Sequence, residues 1–234
     1  MPFSRRSLLV AALGVAAGCA GERGGSAAGR PPPDPQVTRP GASTPANGSA
    51  IPPATVSSLA MVGDSITARS KASLTKVFAA QGIAEVRIDA EVSRRIEVGN
   101  GRNEPLNGEK ALSNMLAFGV DPDAWVIALG TNDVGVTDAD HYAVLIDTML
   151  GMLPATTPAV WVDVYRPAVL VETKSFNAVL RARVGRRPNT AVASWFDVVA
   201  GNSKRLLTGD RIHPNEAGQT AFAALVGGAV AKVP

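Results

Sequence analysis

Val56-Ser57-Ser58-Leu59-Ala60-Met61-Val62-Gly63-Asp64-Ser65 is the stretch that decides the fold. An apolar run this short, closed by Gly-Asp-Ser, reads as a buried strand that runs into a turn. Beyond Ser65 the period changes. From Ile66 to Gln81, Leu74, Val77 and Phe78 fall on one helical face, and Gly82 supplies the stop. Strand, turn, helix is the opening of a unit whose next strand returns parallel to the first.

The same alternation continues along the chain. Strands are expected at Glu85 to Val92, Ala124 to Leu129, Val160 to Val164 and Thr190 to Phe196. Between them, helical spacing is read around Gly108 to Phe118, through Tyr142, Leu145, Ile146, Met149 and Leu153, and over Glu172 to Val184. Phe222, Leu225 and Val226 place a last helix after Pro214. Five strands alternating with helices predict an α/β domain, a five-stranded mostly parallel sheet covered on both faces. Function in such a sheet belongs at the C-terminal strand ends.

Three polar stretches fall at those ends or before the last helix: Gly63-Asp64-Ser65, Gly130-Thr131-Asn132-Asp133 and Asp210-Arg211-Ile212-His213-Pro214. A serine hydroxyl needs a base to take its proton during attack, and His213 can supply it to Ser65. Asp210, three residues earlier, can hold the imidazole in one tautomer. An oxyanion needs donors fixed in advance, which the Ser65 N–H at a helix start and the Asn132 amide can provide. Each stretch also has an ordinary structural reading. Asp64-Ser65 suits a helix N-cap, Asn132 and Asp133 suit a turn, and His213-Pro214 suits a first helical turn.

Taken together and in this order, the three stretches resemble the first, third and last blocks of the SGNH (GDSL-like) hydrolase family. The resemblance runs from Thr55 to the C-terminus. It implies a three-layer α/β/α, flavodoxin-like fold and ester hydrolysis as the usual activity. It also implies a second oxyanion block bearing a glycine, and here the matching stretch, Asp89-Ala90-Glu91-Val92-Ser93-Arg94-Arg95-Ile96, has Ser93 in its place. A backbone amide survives that exchange if the local dihedrals suit a residue with a Cβ. Ser65, Ser93 and Asn132 are therefore the expected oxyanion donors, and Ser65, Asp210 and His213 the expected triad.

Other polar and aromatic residues are assigned blander roles. Asp133 reads as structural and His141 as a solvent-exposed residue at a helix start. Trp125, Trp161 and Trp195 fall in expected strands as core residues. Arg94 and Arg95 are either solvated arginines or a means of steering an acidic or sugar substrate.

The N-terminal segment reads as an address. Arg5-Arg6 runs into about ten apolar residues, Leu8 to Ala17, well short of the roughly 20 that span a bilayer. The paired arginines resemble a twin-arginine signal, and Ala16-Ala17-Gly18-Cys19 resembles a lipobox, although Ala16 stands where Leu is usual. Residues 1–18 are thus expected to be a signal peptide, with Cys19 as a lipidation site and membrane attachment point, or else a plainly secreted product. Residues 19–54, rich in Gly, Ser, Ala and Pro, are expected to be a flexible tether, and residues 55–234 the hydrolase domain.

Composition narrows the partners. With 23 Lys and Arg against 20 Asp and Glu, and Arg5 and Arg6 in the signal, there is no electrostatic footprint for nucleic acid. One cysteine and two histidines argue against a disulfide or a zinc cage, and no cofactor is expected. The sequence thus predicts an exported serine esterase acting on a small-molecule or glycan ester, such as an acetylated glycan or a lipid ester. Two alternatives stand beside it: an acyltransferase to a cell-envelope sugar, and a non-catalytic envelope-binding lipoprotein module.

Overall fold

Alternate side chains of the first strand, β1 (Ser58–Gly63), enter different cores, as a period of two requires. Leu59 and Met61 pack on one face of the sheet, whereas Ala60 and Val62 pack on the other. This computed structural model describes residues 56–99 and 106–233, so the expected signal peptide, Cys19 and the tether lie outside the described residues.

The chain continues through α1 (Ser65–Ala80), β2 (Glu85–Ala90), α2 (Gly108–Ala117), β3 (Ala124–Ala128), α3 (Ala139–Met152) and β4 (Ala159–Val162). A short 3₁₀ turn then leads to α4 (Leu170–Val184), β5 (Thr190–Ala193), the small helices α5 (Trp195–Ala200) and α6 (Ser203–Leu206), and α7 (Glu216–Val230). The five strands lie in the order β2-β1-β3-β4-β5, every pair parallel. This is the α/β fold expected, and helices flank the sheet. β1, β3 and β4 are apolar and buried on both faces, while the edge strands β2 and β5 are only half-buried. That contrast follows from covering a sheet with helices that leave its edges to solvent.

On one face, Leu74 and Phe78 of α1 and Phe222 and Val226 of α7 join the core. On the other, Leu112 of α2, Tyr142, Ile146 and Met149 of α3, and Phe176 and Leu180 of α4 surround Trp125 and Trp161. Each such fully buried side chain contributes roughly 1.5–3 kcal/mol relative to exposure. The connections leave β1 in one direction, toward β2, and later run from β3 toward β4 and β5. The chain thus switches direction between β1 and β3, which opens a crevice above their C-terminal ends.

One expected strand ends early. Thr190 to Phe196 reads in sequence as extended throughout, but β5 stops at Ala193 and Trp195 opens α5. The cause lies at the end of β4, where the buried Asp163 accepts from the Phe196 N–H at 2.7 Å and the Ser194 hydroxyl at 2.9 Å. These bonds turn the chain out of the sheet. Trp195 still packs in the core, edge-to-face on Phe222 at 5.2 Å, but from a helix.

Candidate active site

Ser65 owes its position to the turn between β1 and α1. Asp64 caps the helix, its Oδ1 accepting the Ile66 N–H at 2.9 Å, so Ser65 is the first helical residue. Its own N–H there has no carbonyl one turn behind to bond. Gly63 is obligatory in this turn, since a Cβ on it would lie 2.2 Å from Thr67 Oγ1. The capping reading of Asp64 and a functional reading of Ser65 are therefore both satisfied by one piece of geometry.

His213 comes from the far end of the chain. The Ser65 hydroxyl lies 2.9 Å from His213 Nε2, across 148 residues of sequence. His213 Nδ1 lies 2.7 Å from Asp210 Oδ2. The loop that carries both is tightly tied: Asp210 Oδ1 accepts from the N–H groups of Ile212 at 2.9 Å and His213 at 3.0 Å, and from the Thr208 hydroxyl at 2.8 Å. A single antiparallel bridge, Leu207 to Pro214, closes its base. Partial burial works against ionisation of Asp210, but the bonds from the His213 ring, the two N–H groups and Thr208 outweigh it and hold the carboxyl well below the usual range. An ionised Asp210 keeps the proton on Nδ1 and leaves Nε2 free to accept one.

The expected oxyanion donors Ser93 and Asn132 lie on two loops stitched together. Asn132 Nδ2 donates to the Arg94 carbonyl at 3.0 Å, which leaves its second N–H for another acceptor. Ser93 precedes that carbonyl and has φ +62°, the left-handed region where glycine is least strained. Asp133 Oδ1 accepts the Ile96 N–H at 3.1 Å, a second tie between the same loops. Asp133 is buried, as its structural reading required, and burial pushes its carboxyl up to about 6, against the Ile96 bond and the nearby Arg95. Asp64 is likewise pushed up to about 6 by burial, against its Ile66 bond and Thr131.

Two arginines are site builders that sequence reasoning missed. Arg94, read as solvated or substrate-steering, is buried instead. Its guanidinium reaches the Gly63 carbonyl at 3.2 Å, the Asp89 carbonyl at 2.9 Å and the Asp89 carboxylate at 2.8 Å, binding the ends of β1 and β2 together. Arg166, after β4, donates from one nitrogen to the carbonyls of Thr131 and Val134, each at 3.1 Å, and so clamps the loop that carries Asn132. No local pattern marks either residue, because their acceptors are backbone carbonyls brought close only by folding. His141, by contrast, is at a helix start as expected but only partly exposed, its Nε2 3.1 Å from Glu97. Among the described residues, no three His, Cys, Asp or Glu side chains converge as metal ligands.

The model of the GDSL-like lipase/acylhydrolase family matches residues 61–221, most of the described chain. The chain belongs to that family. It is accordingly a serine hydrolase acting on ester bonds. No curated protein matches it in sequence. Solved structures share the fold of this GDSL-like hydrolase. The C-terminal catalytic domain of Streptococcus pneumoniae peptidoglycan O-acetyltransferase A superposes with a TM-score of 0.59 at 18% identity, over 75% of this chain and 93% of that one. The aryl esterase of M. smegmatis gives 0.58 at 15% identity, over 76% and 100% of the two chains. A carbohydrate acetylesterase of Sinorhizobium meliloti gives 0.56 at 14% identity, over 74% and 98%.

In the hydrolase, Ser93 stands where the resemblance implies a glycine, and its positive φ is one that glycine adopts without strain. The strain is borne because the loop is fixed on both sides, by the buried Arg94 and by the bonds of Asn132 and Asp133.

Proposed function

We propose that this GDSL-like hydrolase is an exported serine esterase that cleaves an acyl ester of the cell envelope, an acetylated glycan or a lipid ester, through Ser65, His213 and Asp210. One observation carries the reading: a hydroxyl near the front of the domain and an imidazole near its end stand 2.9 Å apart, the imidazole backed by a carboxylate at 2.7 Å. Export rests on the basic and apolar N-terminal segment and on Cys19 as its acceptor for lipid.

In the first step Ser65 Oγ attacks the ester carbonyl carbon while His213 Nε2 takes the hydroxyl proton. Asp210 stabilises the imidazolium that results. The carbonyl oxygen becomes an oxyanion, received by the N–H groups of Ser65 and Ser93 and by the free N–H of Asn132. Collapse breaks the bond to the alcohol oxygen, which leaves with the proton from His213, and an acyl-Ser65 remains. Water, deprotonated by His213, then releases the acid and restores the serine. A sugar hydroxyl in place of that water gives acyl transfer, and one solved neighbour is named as an O-acetyltransferase. Product analysis with and without sugar acceptors separates the two outcomes.

The test is covalent labelling and turnover together. A fluorophosphonate probe is expected to modify Ser65, and Ser65→Ala to lose both the label and several orders of magnitude in p-nitrophenyl acetate hydrolysis. A Ser65→Ala variant that hydrolyses the ester at the parental rate removes the nucleophile assignment.

A further inference from the structure

The Asp210 side chain is 46% exposed and that of His213 23%, so water reaches the carboxylate and screens its attraction for the ring. An exposed pair of this kind contributes little unless other bonds hold its geometry. Asp210 has such bonds on the oxygen that does not face the imidazole. Oδ1 accepts three donors, the N–H groups of Ile212 and His213 and, at 2.8 Å, the Thr208 hydroxyl. The two N–H groups belong to the short loop that carries Asp210 and move with it. Thr208 stands at the base of that loop, beside the bridge between Leu207 and Pro214, so its hydroxyl ties the carboxylate to a fixed frame.

The loop closes without that hydroxyl. The Thr208 N–H bonds the His213 carbonyl at 2.8 Å, the Arg211 N–H bonds the Thr208 carbonyl at 2.9 Å, and the Asn215 N–H bonds the Leu206 carbonyl at 3.0 Å. Any residue with a backbone N–H at 208 makes the same bonds. The hydroxyl itself has one proton and two acceptors in reach, Asp210 Oδ1 at 2.8 Å and the His213 carbonyl oxygen at 3.1 Å. The carboxylate is nearer and charged, and the carbonyl already receives the Thr208 N–H, so the proton goes to Asp210. Thr208 thus holds His213 by its backbone and Asp210 by its side chain.

We propose that Thr208 is a positioning residue for the catalytic base: its hydroxyl fixes the Asp210 carboxylate so that Oδ2 stays on His213 Nδ1 while Nε2 faces Ser65. Thr208 touches no reacting atom. Its effect passes through Asp210 to the ring and from the ring to the nucleophile. The inference rests on the triad reading of Ser65, His213 and Asp210.

Thr208→Val keeps the shape of the side chain and removes the donor. Its kcat on p-nitrophenyl acetate is expected to fall about tenfold, with KM within about twofold of the parent, and Thr208→Ser is expected to recover most of the loss. Thr208→Ala removes the hydroxyl without a bulky replacement and serves the same comparison where valine crowds the loop. Two further readings separate positioning from folding. The Nδ1 proton of His213, which resonates far downfield when held against a carboxylate, is expected in proton NMR spectra of the parent and Thr208→Ser chains and is expected to weaken or vanish in Thr208→Val. In an Asp210→Ala background, Thr208→Val is expected to change the residual rate by about twofold or less, because no carboxylate is left to position. Equal kcat in the parent and the variants that lack the hydroxyl, or a loss just as large in the Asp210→Ala background, overturns the role of Thr208 and leaves the esterase reading standing. A parent chain that neither takes the fluorophosphonate label nor cleaves any ester sinks both.

Discussion

Replacing Ser93 by glycine separates the backbone of the proposed oxyanion loop from its side chain. Ser93 holds φ +62° with an exposed side chain that bonds no described residue. An L-residue in that region costs roughly 1–2 kcal/mol. Glycine removes the strain but brings about 0.5–1 kcal/mol of extra chain entropy to the unfolded state. The net expected for Ser93→Gly is a gain of about 0.5–1 kcal/mol, or roughly 1–4 °C in Tm for a domain of this size. Ser93→Ala keeps the Cβ and its strain, so its stability stays within about 0.5 kcal/mol of the parent. Both variants keep the N–H proposed as an oxyanion donor, so kcat/KM on p-nitrophenyl acetate is expected to stay within about threefold of the parent, less than the roughly 1.4 kcal/mol that one decade represents. Urea denaturation and steady-state kinetics on the three chains supply both readings. A tenfold or larger loss of kcat in the glycine and alanine variants alike would mean that the hydroxyl is the donor. A glycine variant less stable than the parent would mean that the turn is not strained, and either result refutes the reasoning.

Three further perturbations concern the site. Asn132→Ala removes a donor and the tie to the Arg94 carbonyl, and kcat is expected to fall about 10² to 10³-fold with KM moving much less. Arg166→Ala strands the carbonyls of Thr131 and Val134 and lets the Asn132 loop drift; a kcat loss of roughly tenfold, partly restored by Arg166→Lys, is expected, whereas equal kcat in all three chains would make the clamp irrelevant to catalysis. Asp64 is pushed up to about 6 by burial from an unfolded value of 3.8, so the native state keeps a proton that the unfolded chain has released between those values. Stability should therefore fall as pH rises from about 4 to 6 and level off above, Asp133 adding to the slope in the same direction. Asp64→Asn is expected to flatten that slope and to raise stability at pH 7 by on the order of 1–3 kcal/mol; parallel Tm-against-pH curves for the two chains would contradict it.

Much of this was legible in the sequence because it is local. The strand from Ser58, the cap at Asp64 and the helix from Ser65 are fixed by neighbours within a few residues, and a period of two against 3.6 tells them apart. The Asp210 and His213 pairing is local as well, three residues on one loop. Where local signals were overruled, a distant group did it. Asp163 ended β5 ahead of Trp195, and the Gly63 and Asp89 carbonyls drew Arg94 inside.

By itself, then, the sequence determined the alternation of strands and helices, the parallel sheet that alternation demands, and the order of the polar blocks along it. Periodicity and turn chemistry act through adjacent residues, and adjacency is written in the chain. Only the tertiary structure decided that Ser65 and His213 stand 2.9 Å apart and that Arg166 clamps the Asn132 loop. Those contacts join residues far apart in sequence through carbonyls and cations that look alike at every position, so their meaning appears only once the sheet has set its strand ends side by side.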